Sequence, residues 1–370
     1  MRTSLAPAAA APVAAAPGPL PRPVRSRTGA STRRWPSGRS LDAMRKTRIP
    51  PSPLPQVAGI DPVRLRLPAD REGRWPDLGS YLTERYAGTR GAASVPRLLA
   101  AGRILGAGGR VLRAGDPYEP HSYLWFHRDM DPEPVVPFPI GVVHRDAHLL
   151  VVDKPHFLAT TPRGSHIVQT ALARLRAELD LPELSPAHRL DRLTAGLVMF
   201  SIRPQDRGAY QQLFAERRVR KEYEALAVHD PAVELPRTVR SRIEKVRGVI
   251  GASEVPGEPN AESTVELTAA RGGLGRYRLT PHTGRTHQLR VHMNALGLPI
   301  LGDPVYPQIT DPAPDDFRRP LQLLARTLAF TDPVTGAVHR FESSLRLTAW
   351  DDRAAWEAGP GGTAPDAASG

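Results

Sequence analysis

The stretch Ala187-His188-Arg189-Leu190-Asp191-Arg192-Leu193-Thr194-Ala195-Gly196-Leu197 sets a carboxylate between two arginines, immediately ahead of an apolar run from Gly196 to Ile202. That run has the length and content of a buried strand. Turns that precede strands expose side chains, which makes Asp191 a candidate functional acid. Taken alone, the segment reads more readily as a solvated, salt-bridging loop.

Outward from this point, strands and helices alternate. Upstream, Leu149 to Val152 is a short apolar strand stopped by Asp153-Lys154-Pro155, and Val168, Leu172, Leu175 and Leu179 recur at helical spacing across His166 to Leu179. Downstream, Gln205 to Arg218 reads as a helix with Tyr210, Leu213 and Phe214 inward. Tyr223 to Val228, Thr264 to Thr268, Arg276 to Thr280, Leu324 to Phe330 and Val338 to Phe341 read as strands. Thr286 to Leu296 reads as a helix closed by Gly297, with Pro299 just beyond. Strands outnumber helices and several are neighbours in sequence. The body, residues 137–350, is therefore expected to be α+β, with a central, mainly antiparallel mixed sheet and flanking helices.

The flanks are of different composition. Residues 1–60 are rich in Ala, Pro, Arg and Ser and hold too few large apolar groups to offset ordering entropy, so a disordered basic tail is expected there, and a disordered Gly/Ala-rich tail at residues 359–370. Residues 75–130 read as a small accessory module, with a helix closing at Gly102 and a short strand pair after it. The net charge is +12 over 370 residues, but residues 1–50 carry ten basic side chains against Asp42 alone, so +9 belongs to the tail and +3 remains for the rest. The high charge is thus weak support for nucleic-acid binding by the body. The chain has no cysteine, which excludes a disulfide scaffold, thiolate metal sites and cysteine catalysis. Pro7, Pro12, Pro17 and Pro19 interrupt the only signal-like stretch, and no segment reaches the ~18 apolar residues of a membrane span. A soluble cytoplasmic protein is expected.

Two further segments carry chemistry. Arg220-Lys221-Glu222-Tyr223-Glu224-Ala225-Leu226 opens a strand with an aromatic that serves equally as core. Pro281-His282-Thr283-Gly284-Arg285-Thr286-His287-Gln288-Leu289-Arg290-Val291-His292-Met293 is a basic helix start suited to anions, or an ordinary amphipathic helix. Together with Asp153-Lys154-Pro155 and Gly297-Leu298-Pro299-Ile300-Leu301-Gly302-Asp303-Pro304-Val305-Tyr306, these segments stand in an order that resembles the RluA-type RNA pseudouridine synthases, over Pro137 to Phe341. The resemblance implies that family's fold and an isomerase that converts a specific uridine of ribosomal or transfer RNA to pseudouridine. It implies that Asp191 acts at the glycosidic bond of a flipped-out nucleotide, that Arg290 pairs with it, and that Tyr223 stacks on the target base. Arg189 resembles the residue that fills the place of the flipped nucleotide. Lys221, Arg285, His188 and Arg192 are expected substrate contacts, no metal or organic cofactor is implied, and a monomer is the family's habit. Ala195 and His156-Phe157-Leu158 depart from the family pattern in loops near the site, which bears on substrate identity. The 75–130 module would be at best a degenerate form of the RNA-binding domain that relatives carry.

Other readings weigh less. His127-Arg128-Asp129 and His144-Arg145-Asp146 imitate a kinase loop without its phosphate loop, and Gly273-Leu274-Gly275 lacks the setting of a dinucleotide site. His282, His287 and His292 are spaced five apart, which turns successive rings about 140° around a helix and keeps them from one metal site. A non-catalytic RNA clamp would be expected to lack Asp191 or Tyr223. A nucleoside hydrolase would need a second acid beside Asp191.

Overall fold

The computed structural model describes residues 49–358, apart from Arg90 and Asp131. The tails expected before residue 49 and after residue 358 lie outside the described residues. The expected tail boundary near residue 60 does not hold: Gln56 donates to Pro182 O (2.8 Å), and Asp61 takes a 2.9 Å ion pair from Arg176. These contacts dock the segment before the module onto the body.

The module begins earlier than expected, at β1 (Val63–Arg66). It continues through α1 (Leu78–Tyr86), α2 (Gly91–Ala100), β2 (Leu105–Gly106) and β3 (Tyr123–Phe126), with sheet order β1-β3-β2. Asp77 caps α1 by accepting from Ser80 N at 2.7 Å. Leu65, Leu82, Leu98, Leu99, Ile104, Leu124 and Phe126 make its core.

The body contains β4 (Gly141–Arg145), β5 (Leu149–Lys154), α3 (Ala171–Leu179), β6 (Ser185–Pro186), β7 (Ala195–Ser201), α4 (Arg207–Ala215), β8 (Arg220–Val228), β9 (Arg237–Glu244) and β10 (Ser253–Val255). It closes with β11 (Ala261–Arg271), β12 (Leu274–Pro281), α5 (Gln288–Ala295), β13 (Leu323–Thr331), β14 (Val338–Glu342) and α6 (Arg353–Ala358). One sheet runs in the order β10-β9-β11-β12-β8-β13-β7-β5-β4, with β14 added on β13 and β6 on β7. Every pairing is antiparallel except β7 with β13, so the expected α+β body with a mainly antiparallel mixed sheet is what the chain forms. Two helices begin later than their periodicity suggests. Thr170 caps α3 through its hydroxyl, and His287, in a left-handed conformation, delays α5 to Gln288. The body also runs past residue 350, where Trp356 of α6 is buried and donates to Pro320 O.

The alternation of the middle strands explains their unbroken apolar sequence. Leu150, Val152, Val198 and Phe200 pack under Leu172 and Leu175 of α3, while Leu149, Val151, Leu197 and Met199 pack on Tyr210 and Leu213 of α4. Farther along the sheet, Leu289 and Met293 of α5 cover Ala225, Ala227, Val265 and Leu279. Between these helical layers the β6–β7 turn holds Asp191 at the head of β7.

Gly196 sets how close that turn comes to the neighbouring strand. Its φ is +107°, and a Cβ there would lie 2.3 Å from Ala325 O and 2.7 Å from Ala325 N across the parallel β7–β13 contact. Both the conformation and the space are closed to a side chain. Gly196→Ala is expected to destabilise the fold by at least about 2 kcal/mol in urea unfolding; an unchanged midpoint would show that β13 can yield.

Candidate active site

The turn bearing Asp191 is gripped through its backbone. Leu190 O accepts from the Thr160 hydroxyl (2.9 Å), Leu193 O accepts from His156 Nδ1 (2.6 Å), and Arg192 O lies 3.4 Å from the Lys154 ammonium. Lys154 is fully buried and also donates to Pro155 O and Leu158 O. Burial pulls its pKa down to about 7, opposed by the attraction of Asp191. The Asp-Lys-Pro motif therefore supports the Asp191 turn from behind rather than reaching the cleft.

The cleft in front of the turn has a volume of about 540 Å³. Arg189, Arg217, Lys221, Arg285 and Arg290 line it, and Asp191 is the only acid on its wall among the described residues. A body of nearly balanced charge thus concentrates cations in one concavity, where low-dielectric walls focus their field. Lys221 is held below its ordinary pKa by burial and by Arg217 beside it. Arg217 was not among the residues expected from the sequence.

Asp191 keeps 24% of its side chain exposed, and no protein group among the described residues hydrogen-bonds its carboxylate. Two groups face its Oδ2 at 3.9 Å: Arg290 Nη1 and His287 Nε2. The expected Asp191–Arg290 pair is therefore an open one. The fork of Arg290 is taken by Asp303, with Nε to Oδ2 at 2.7 Å and Nη2 to Oδ1 at 2.6 Å. These two side chains are 2% and 1% exposed. Burial opposes the charge on Arg290, but the Asp303 bonds more than offset it and leave its pKa above the ordinary value. Asp303 is held in turn by the N–H groups of Val305 and Tyr306, and the Tyr306 ring lies 5.2 Å from the guanidinium. Asp303 was visible only as a letter in a motif.

Tyr223, at the start of β8, lines the same cleft. Burial and the nearby charge of Asp191 push its phenol well above the usual tyrosine range, so it remains neutral. Arg189 is exposed on the cleft wall, and Arg285 is steadied by Asn260 O at 3.1 Å.

Two expected contacts need correction. Arg192 does not line the Asp191 cleft but a separate one of about 480 Å³ beside Asp303, Asp316 and Arg319, because the tight turn sends adjacent side chains to opposite sides. His188 borders the cleft, but its Nε2 accepts Met199 N–H at 3.1 Å and its ring stacks on Phe214 at 4.3 Å. Burial drops its pKa to about 3, so it is a neutral strut of the turn. The spaced histidines part company: His282 meets Thr264, His292 meets Ser241, and His287 meets Tyr306.

Comparison with known proteins bears on what such a cleft does. A family model described as RNA pseudouridylate synthase matches residues 148–295, from the start of β5 to the end of α5. The dual-specificity RNA pseudouridine synthase RluA of Haemophilus influenzae is 32% identical over 223 residues, which is 57% of this chain and 94% of that protein. The chain belongs to the RluA-type RNA pseudouridine synthases. It is also 35% identical to human pseudouridylate synthase RPUSD2 over 176 residues, 47% of this chain and 32% of that longer protein. A solved structure, human RNA pseudouridylate synthase domain containing 4, aligns with 55% of this synthase and 87% of its own chain at 26% identity, with a TM-score of 0.42.

The buried imidazoles give the synthase an acid limit. His156 and His188 both titrate near 3 when folded, against about 6.5 when unfolded. Below pH 6.5 the unfolded chain takes up protons that the folded chain refuses, so stability is lost as pH falls from 6.5 toward 3. Equilibrium unfolding at pH 7.5 and pH 5 is expected to show this loss, and His188→Gln to shrink it; an equal pH dependence in the variant would place a charged His188 in the fold.

Proposed function

We propose that this synthase isomerises a specific uridine of a structured ribosomal or transfer RNA, with Asp191 acting on the ribose of a nucleotide flipped into the cleft. The observation that carries the reading is the state of Asp191: among the described residues it is the sole acid on a wall of cations and takes no side-chain hydrogen bond, with Arg290 one van der Waals step away. A carboxylate of this kind is available to a reacting carbon or proton. Breaking the N1–C1′ bond leaves an electron-poor sugar carbon, which the carboxylate can capture or relieve by taking the C2′ proton. Arg290, 3.9 Å from Asp191 Oδ2, can steady charge on the departing base during the step.

The remaining residues fit the handling of a detached base. Tyr223 offers a neutral aromatic face at the cleft floor, where nothing covalent holds the uracil while it turns. Arg189, exposed and without an ion-pair partner among the described residues, can stack in the gap that the nucleotide leaves. Lys221, Arg217 and Arg285 are placed to meet phosphates. The names of relatives support an RNA substrate, since one is a dual-specificity RNA pseudouridine synthase and another, in Saccharomyces cerevisiae, a mitochondrial tRNA pseudouridine(32) synthase.

Transfer and ribosomal RNA transcripts carrying tritium at uridine C5 test the proposal, since isomerisation frees that hydrogen. Wild-type protein is expected to release tritium from at least one class, and Asp191→Asn to lose at least roughly 10³-fold in rate. Release by Asp191→Asn at the wild-type rate would overturn the assignment.

A further inference from the structure

Besides His188, whose ring is a strut of the turn, the cleft is bordered by a second imidazole whose protonation site its neighbours dictate. His287 precedes α5 with φ +58°, and its side chain, 13% exposed, borders the cleft. Its Nδ1 lies 3.0 Å from the Tyr306 hydroxyl. That hydroxyl has a single proton, which it donates to Ala252 O at 2.9 Å, and it accepts Ala252 N–H at 2.8 Å. Only an acceptor lone pair is left for the histidine, so Nδ1 carries the ring proton. Nε2 then presents a bare lone pair in the cleft, 3.9 Å from Asp191 Oδ2.

The surroundings keep that lone pair free. Burial is the largest influence on the ring and holds its pKa below the ordinary value. Asp191 and Asp303 pull it up, while Arg290 and Lys245 push it down. The Tyr223 phenol, which lines the same cleft, is held protonated by burial and by Asp191. A left-handed conformation is strained at a residue that is not glycine, and this backbone adopts it at the residue whose Nε2 faces Asp191.

We propose that His287 Nε2 accepts the proton from uracil C5, which makes His287 a catalytic residue of the isomerisation; this rests on the reading of Asp191 given under Proposed function. The steps balance. The N1–C1′ bond breaks with its electron pair on N1. C5 then uses the C5–C6 π pair to bond C1′, leaving an N1–C6 double bond and a C5 that carries both its hydrogen and the ribose. Transfer of that proton to Nε2 returns the C5–H pair to the C5–C6 bond, the N1–C6 π pair moves to N1, and N1 takes a proton from the imidazolium or from water. One proton leaves C5 and one arrives at N1, so no oxidant, reductant or co-reactant is needed. A sugar carbon poised at Asp191 Oδ2 places the ring atom bonded to it beside Nε2.

Unmodified transfer and ribosomal RNA transcripts with either hydrogen or deuterium at uridine C5 provide the test, read as single-turnover pseudouridine formation. His287→Gln is expected to slow the reaction roughly 10²-fold and to bring out a hydrogen/deuterium rate ratio above about 2, because loss of the C5 proton becomes limiting. Tyr306→Phe keeps the ring but releases its tautomer, and is expected to raise the same ratio with a smaller rate loss; it carries the test if His287→Gln does not fold. RNA affinity should stay within a few-fold of wild type in both. A His287→Gln rate near wild type, or a slow folded variant with the wild-type isotope ratio, would overturn the role of His287 while leaving the Asp191 dependence intact. A wild-type protein inactive on both transcripts would defeat the proposed function itself, and this inference with it.

Discussion

The ion pair between Arg290 and Asp303 is the constraint on which the rest of the site depends. A guanidinium this buried survives only with a partner that takes its fork, and removing one member of such a pair costs roughly 3–5 kcal/mol. By occupying Nε and Nη2, Asp303 fixes the plane of the group and leaves Nη1 facing Asp191. The Asp191 carboxylate is thereby attracted without being bonded. A direct fork-to-fork pair between Arg290 and Asp191 would have satisfied both groups and closed the site.

The same division recurs around the turn. Groups behind it, Lys154, His156, Thr160 and His188, bind backbone atoms and define its shape. Groups in front of it, Arg189, Arg217, Lys221 and Arg285, make few bonds to the protein and give the cleft its charge. Gly196 lets the turn sit hard against β13, which brings the head of β7 level with Tyr223 on β8. Rigid support and open faces are both needed where a base must be released, turned and rejoined within one enclosure.

Much of this was legible in the sequence, for identifiable reasons. β5 and β7 announced themselves because burial on both faces leaves an unbroken apolar run. β9, half-exposed Arg237–Glu244, and β1, Val63–Arg66 with outward arginines, carry no such run and were not expected as strands. Asp191, Tyr223 and Arg290 do converge on one cleft, as their motifs implied. Arg192 did not follow, because side-chain direction in a tight turn depends on dihedral angles that residue types do not specify. Asp303 and His287 became meaningful only when the fold brought β7, the start of α5 and the Gly302–Tyr306 loop together, since each acts through a partner distant in sequence.

Asp303 is expected to serve the reaction through Arg290, whose fork it holds. Single-turnover pseudouridine formation by Asp303→Asn, Arg290→Lys and the double variant on one RNA measures that dependence. The double variant is expected to be no slower than the slower single variant, a coupling of roughly 2 kcal/mol or more. Losses that simply multiply would contradict this, because Asp303 and Arg290 would then act independently.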